Sequence, residues 1–184
     1  MIKFVLSAVK ARTLVIGLFL IQCVLAGPLA FAQQQNPTPD VSDQYVVDQN
    51  FLQLPQGRTL GSTASIDVSK DGESLWVFDR CSADNCVGSD LAPIMQFDID
   101  GNFIRSFGAG MFVRPHGTHI DHESNLWVTD GEGPGTDDPR RDGIGHQVFK
   151  FSPEGELLMT LGKPGIAGTG NGEFNQPSDV QVAR

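Results

Sequence analysis

Leu75-Trp76-Val77-Phe78-Asp79 and Leu126-Trp127-Val128-Thr129-Asp130 are two versions of one pentapeptide. Working outward, the likeness continues on both sides. Ser65-Ile66-Asp67 and a turn at Asp71-Gly72 precede the first copy; Ile120-Asp121 and Ser124-Asn125 precede the second. Phe97-Asp98, a turn at Asp100-Gly101, Phe103-Ile104 and Phe107-Gly108 fill the interval. They return as Phe149-Lys150-Phe151, Glu154-Gly155, Leu157-Leu158 and Leu161-Gly162. Ile66 to Ile120 and Phe97 to Phe151 are both 54 residues. Pro115 to Pro177 is 62, the excess lying in the glycine-rich stretch around 166–172.

Each unit reads as several short alternating strands joined by Asp-Gly or Asn-containing turns, which is hairpin chemistry. A repeat of this length and content is a propeller blade, a four-stranded antiparallel sheet. One blade cannot bury both of its faces, so blades stack around an axis. A β-sandwich with chance similarity is the alternative. The expected fold is thus an all-β propeller, with about two and a half blades in residues 46–184. Rings close with about 4–8 blades, and the chain stops at Arg184 within the third unit. The sequence is expected to be a piece of a longer propeller, with exposed sheet faces and a tendency to aggregate.

Composition narrows the function. The 184 residues carry 22 acidic and 13 basic side chains, a formal net charge of −9. That argues against nucleic acid, whose binders displace counterions with a basic face. Lys3, Lys10 and Arg12 precede an apolar run from Leu14 to Leu25, and Ala30-Phe31-Ala32 follows. This pattern predicts a secretory signal peptide over 1–32, cut after Ala32. The run is short for a bilayer span, so stable membrane insertion after cleavage is not expected. Gln22 disfavours a lipoprotein reading at Cys23. Without the leader the net charge is −12, in keeping with a secreted or periplasmic protein. Residues 33–45 are rich in Gln, Asn, Pro and Asp and read as a linker. Of the cysteines left, Cys81 and Cys86 suit a local disulfide in an oxidising compartment, worth about 2 kcal/mol. Two unpaired thiols are the alternative.

Four histidines exist, three of them in Pro115-His116-Gly117-Thr118-His119-Ile120-Asp121-His122. On a strand, side chains three apart face opposite sides, so His116 and His119 cannot share an ion without a bulge. His116 and His122 share parity but stand about 20 Å apart on an extended strand. One metal therefore takes at most one of them. His116 is the candidate, because inner strands start near a propeller's axis, where several blades can each contribute a ligand. A packing histidine is the plain alternative. The third unit has Ser178 in its place, so the repeat itself does not demand a histidine. Arg80 directly follows the Trp76–Asp79 strand, where the second unit has Gly131. It could grip a carboxylate bidentately or pair with Asp79 or Asp84. Residues 131–145 read as a long solvated hairpin loop without a calcium motif. Asp98, Asp100 and Asn102 mark a hairpin turn. No phosphate cradle, nucleophile elbow or Cys-x-x-Cys pair is present.

The repeats resemble NHL-repeat propellers. Phe107-Gly108, Met111-Phe112, Pro115-His116-Gly117, Asp121 and Asn125–Asp130 are similar to the lyase domain of peptidylglycine amidating enzymes. So are His146–Phe151, Leu161-Gly162 and Phe174–Val180. The likeness covers roughly residues 61–184. It implies a six-bladed parent with zinc and calcium in its central cavity, acting as a peptidyl-α-hydroxyglycine α-amidating lyase. It places His116 as the first of three zinc histidines, the others lying on further blades. It places a calcium-binding backbone carbonyl on Thr118, a second near Ala64, and the active-site arginine on Arg80. The family's catalytic tyrosine has no counterpart, Tyr45 being in the linker. The implied reaction cleaves a C–N bond, releasing a peptide amide and glyoxylate, and this stretch alone is expected to be inactive. The implied partner is a peptide or small-molecule substrate in the central cavity. A non-catalytic propeller binding a protein or small ligand is the main alternative, and a calcium-dependent lactonase a third.

Overall fold

A computed structural model describes residues 46–133 and 142–183. The expected signal peptide and linker lie outside the described residues, as do Asp137, Asp138, Arg140 and Arg141 of the 131–145 loop. Eight strands form two sheets. The first contains β1 (Thr63–Val68), β2 (Ser74–Asp79), β3 (Ile94–Asp98) and β4 (Phe103–Phe107). The second contains β5 (Pro115–Ile120), β6 (Leu126–Asp130), β7 (Val148–Phe151) and β8 (Leu157–Leu161). Both are antiparallel meanders in sequence order, β1-β2-β3-β4 and β5-β6-β7-β8, which is the form of a propeller blade.

The turns follow from their residues. Asp98 Oδ1 accepts the backbone N–H groups of Asp100 and Asn102 at 3.0 and 2.7 Å, and Gly101 takes φ 83° between them. Ser152 closes the equivalent β7–β8 turn by accepting from Glu154 and Glu156. Asp121 closes β5–β6, accepting from the backbone of Glu123 and Asn125 and from Trp127 Nε1. A short acceptor side chain that satisfies the free N–H groups of a turn fixes the hairpin register. Burial pushes the Asp121 carboxyl up, but Trp127, Asn125 and Lys150 together hold it well below the usual carboxylate range.

The core lies between the sheets. Trp76, Phe78 and Ile94 of the first meet Leu126, Val128, Phe149 and Phe151 of the second. Phe112, on the connection between the sheets, has its ring 5.1 Å from Phe78 on one side and 5.1 Å from Phe149 on the other. Val77 alternates to the far face of β2 and packs with Met95 and Phe97 under Leu52, Leu54 and Phe103. Because β2 is buried on both faces, its pentapeptide is apolar almost throughout. On β8, by contrast, Leu157, Leu158, Met159 and Leu161 are 40–48% exposed.

Three expectations are corrected. Val68 lies opposite Leu75, and Ile120 opposite Leu126, so Ile120 corresponds to Val68 and not to Ile66. A slip of two residues leaves strand alternation unchanged, so the pattern could not detect it. The spacing of Phe97 and Phe151 stands, since they face Leu75 and Leu126 respectively. The repeat as aligned also straddles the sheets, joining the outer strands of one to the inner strands of the next. Finally, the repeat pattern makes Val180-Gln181-Val182 a strand of the third unit, but this stretch forms no strand among the described residues. The segment after β8 carries only an isolated bridge, Ala167 with Phe174.

Candidate functional site

β1 and β5, the first strands of the two sheets, lie side by side without sharing a ladder. Ser65 Oγ and Thr118 Oγ1 are 2.9 Å apart, and Ile120 N–H donates to Asp67 Oδ2 at 2.9 Å. The chain after β8 approaches β5 from its other side: a Cβ on Gly117 would come within 2.7 Å of the Ser178 carbonyl oxygen and of Asp179 Oδ1. Successive repeats thus put their corresponding segments next to one another, as neighbours around an axis do.

Both inner strands are irregular near their start. The β1 register shifts between Thr63 and Ser65, at Ala64, and the β5 register between Pro115 and Thr118. The β5 bulge contains His116 and Gly117, and Gly117 N–H, lost from the ladder, donates to Thr129 Oγ1 at 2.8 Å. Bulges re-aim side chains. His116 Nδ1 lies 2.7 Å from the Ser178 carbonyl oxygen. A carbonyl can only accept, so Nδ1 carries a proton, and in the neutral ring the lone pair is then on Nε2. Gly131 makes room for the ring, since a Cβ there would sit 3.1 Å from His116 Cδ2.

His116 and Arg80 line one cavity of about 270 Å³. Arg114, Glu132, Gln176 and Ser178 complete its polar wall. The Arg80 side chain is 12% exposed. Its Nε donates to the Pro115 carbonyl at 3.0 Å and its Nη1 to Asp84 Oδ1 at 3.0 Å. Of the two partners considered, it is Asp84 that pairs with Arg80. Asp79 takes Arg58 instead, together with the N–H groups of Gly61 and Ser82. Asp130, in the matching place on β6, accepts from Val113 and Arg114 at 2.8 and 2.6 Å. Burial raises the Asp130 carboxyl to about 6, against the lowering pull of those amides. These two aspartates anchor the chain that leads into each inner strand. That is why an acidic residue stands at a buried strand end.

The expected site residues are therefore divided. His116 and Arg80 meet in the cavity, while Thr118 lies further along β5 against Ser65. His119 faces Trp127 across the β5–β6 ladder. His122 is in the turn beyond β5, exposed, because the strand ends at Ile120. Among the described residues no three His, Cys, Asp or Glu side chains converge as a metal cluster. Cys81 and Cys86 form a disulfide.

Sequence reasoning passed over Arg114, Glu132, Gln176 and the placement of His146. His146 is buried, with φ 55°, and its Nδ1 accepts the Gln176 N–H at 3.2 Å. Burial lowers its pKa, partly opposed by Glu132, so the neutral ring can accept. Adjacency to Pro115-His116 and to Gly131 was the available signal for Arg114 and Glu132. A second cavity, about 330 Å³, lies beside Arg58, Met95 and Phe103. There the Arg58 charge is already matched by buried Asp79, so the Arg80–His116 cavity is the better candidate.

No family model matches the chain. It is 36% identical over 173 residues to a Caenorhabditis elegans protein named "Probable peptidyl-alpha-hydroxyglycine alpha-amidating lyase", covering 84% of this chain and 46% of that protein. It is 32% identical over 101 residues to NHL repeat-containing protein 3 of Mus musculus, covering 52% of this chain and 26% of that one. Peptidyl-alpha-hydroxyglycine alpha-amidating lyase 1 of Drosophila melanogaster is 35% identical over 79 residues, 41% of this chain and 12% of its own length. Two meandering sheets with adjacent inner strands define the class, a β-propeller. Within that class, the chain belongs to the NHL-repeat propellers related to the amidating lyases. It spans less than half the length of these relatives.

Proposed function

We propose that the complete protein is a secreted or periplasmic lyase, which cleaves the C–N bond of an N-acyl-α-hydroxyglycine to give an amide and glyoxylate. The single observation behind this reading is the shared cavity of Arg80 and His116. The relatives named as lyases, the acidic charge and the disulfide, which suits an oxidising compartment, agree with it.

His116 is suited to a zinc ion, because its Nδ1 proton is committed to Ser178 O and Nε2 is left as the donor. Further ligands would have to come from outside the described residues. Zinc would supply a lower pKa to the substrate hydroxyl. Arg80, fixed through Nε, holds the carboxylate that departs within glyoxylate. The hydroxyl proton is lost, a C=O bond forms, and the C–N electron pair leaves on nitrogen, which takes up a proton. Thr118 would add a backbone carbonyl to a structural calcium.

The match to NHL repeat-containing protein 3 keeps a second reading in view, a propeller that binds without catalysis. Glyoxylate release from an α-hydroxyglycine peptide by the full-length protein separates the two. The lyase reading expects release, reduced at least about 100-fold in Arg80→Ala if the arginine stabilises developing charge. Absence of release favours the binding propeller.

A further inference from the structure

Asp84 carries a carboxylate to the edge of the cavity and joins it to both of the cavity's arginines. Its Oδ1 accepts from Arg80 Nη1 at 3.0 Å and from Ser62 Oγ at 3.2 Å, and its Oδ2 lies 3.4 Å from Arg114 Nη2. Asp84 is 64% exposed and Arg80 only 12%. The cation is preset and the anion reachable by water. The loop bearing Asp84 is held at its ends by the Cys81–Cys86 disulfide, and Cys81 and Ser82 both have left-handed backbones (φ 54° and 61°). A carboxylate is thus maintained in contact with two guanidinium groups by a constrained loop.

Resting on the lyase reading of the same cavity, we propose that Arg80 and Arg114 form a two-arginine clamp for the ligand's carboxylate, with Asp84 as an internal placeholder that the ligand displaces. The pair is open to solvent on its Asp84 side, so water can take over the displaced carboxylate, whereas Arg80 keeps its place through Pro115 O. Arg114 also lies 3.5 Å from Glu132 Oε2, which holds its other terminal nitrogen while the Asp84 side is vacated. The clamp makes the site selective for ligands ending in a carboxylate over their neutral amides. The hydrogen bond from Arg80, then Ser62, then the charge of Arg114 lower the Asp84 pKa.

The test is calorimetric binding of N-benzoylglycine, and of N-benzoylglycinamide as the neutral control, to the full-length protein and two variants. Asp84→Asn is expected to tighten N-benzoylglycine about three- to tenfold at low salt, less at high salt, and to leave the amide unchanged. Arg114→Gln is expected to weaken N-benzoylglycine and to cancel the gain when combined with Asp84→Asn. Unchanged or weaker binding in Asp84→Asn would show that Asp84 only braces Arg80, and would overturn the proposal. So would no binding by any of the proteins. Glyoxylate release is scored separately: a carboxylate response without release defeats the lyase reading and leaves the clamp standing.

Discussion

His116 Nδ1 and the carbonyl oxygen of Ser178 are 2.7 Å apart, although 62 residues separate them in the chain. Ser178 occupies in the third repeat the place His116 has in the second. The contact therefore ties consecutive repeats together and at the same time sets which imidazole nitrogen is left to bind a ligand.

Nitrogen-15 NMR of His116 should report the Nδ1-protonated neutral tautomer. Gly117→Ala should disturb it, because the new Cβ would meet backbone at 2.7 Å. The expected cost is about 1–3 kcal/mol of stability, together with loss of the fixed tautomer. An unshifted His116 spectrum in that variant would disconnect the ring from Ser178.

Phe112 stands between the two sheets with rings on either side. Phe112→Ala should lower unfolding free energy in urea by about 3–5 kcal/mol. Leu158→Ala, on exposed β8, should cost under about 1 kcal/mol in the same stretch of chain. Similar losses for both would argue that Phe112 does not join the sheets.

Asp130 makes stability depend on pH with a defined sign. Its folded carboxyl titrates at about 6, above the ordinary 3.8, so the folded state binds the extra proton between those values. The stabilisation is present below about pH 4 and is lost as pH rises through 6. Asp130→Asn should flatten stability against pH in that window, read from urea midpoints at pH 4 and pH 7. An unchanged slope would place the titration elsewhere.

Cutting the short disulfide by Cys81→Ser with Cys86→Ser should cost about 2 kcal/mol. The same loss should follow from reduction of the unaltered protein, and reduction of the double variant should have no effect. This is checked by thermal melts with and without a thiol.

Blade type was legible because hairpin turns and apolar alternation are local. The Asp98 and Ser152 turns close as their side chains dictate, and Phe97 and Phe151 occupy matching registers. The inner strands were legible only to within two residues, since Ile66 and Val68 lie on the same face and either satisfies the pattern. The β5 bulge was not legible, because register shifts depend on a partner strand. That is why strict alternation at His116 could be stated but its re-aiming could not. Arg80 and His116 could be proposed one at a time from strand ends. Their common cavity, and the parts of Arg114, Glu132 and Gln176 in its wall, come from long-range packing that no short motif encodes.

The most direct test of the central claim is the zinc content of the full-length protein, purified without chelator, against that of His116→Ala. Stoichiometric zinc is expected in the first and background in the second, with both folded by circular dichroism. Zinc retained at full stoichiometry by His116→Ala would contradict it.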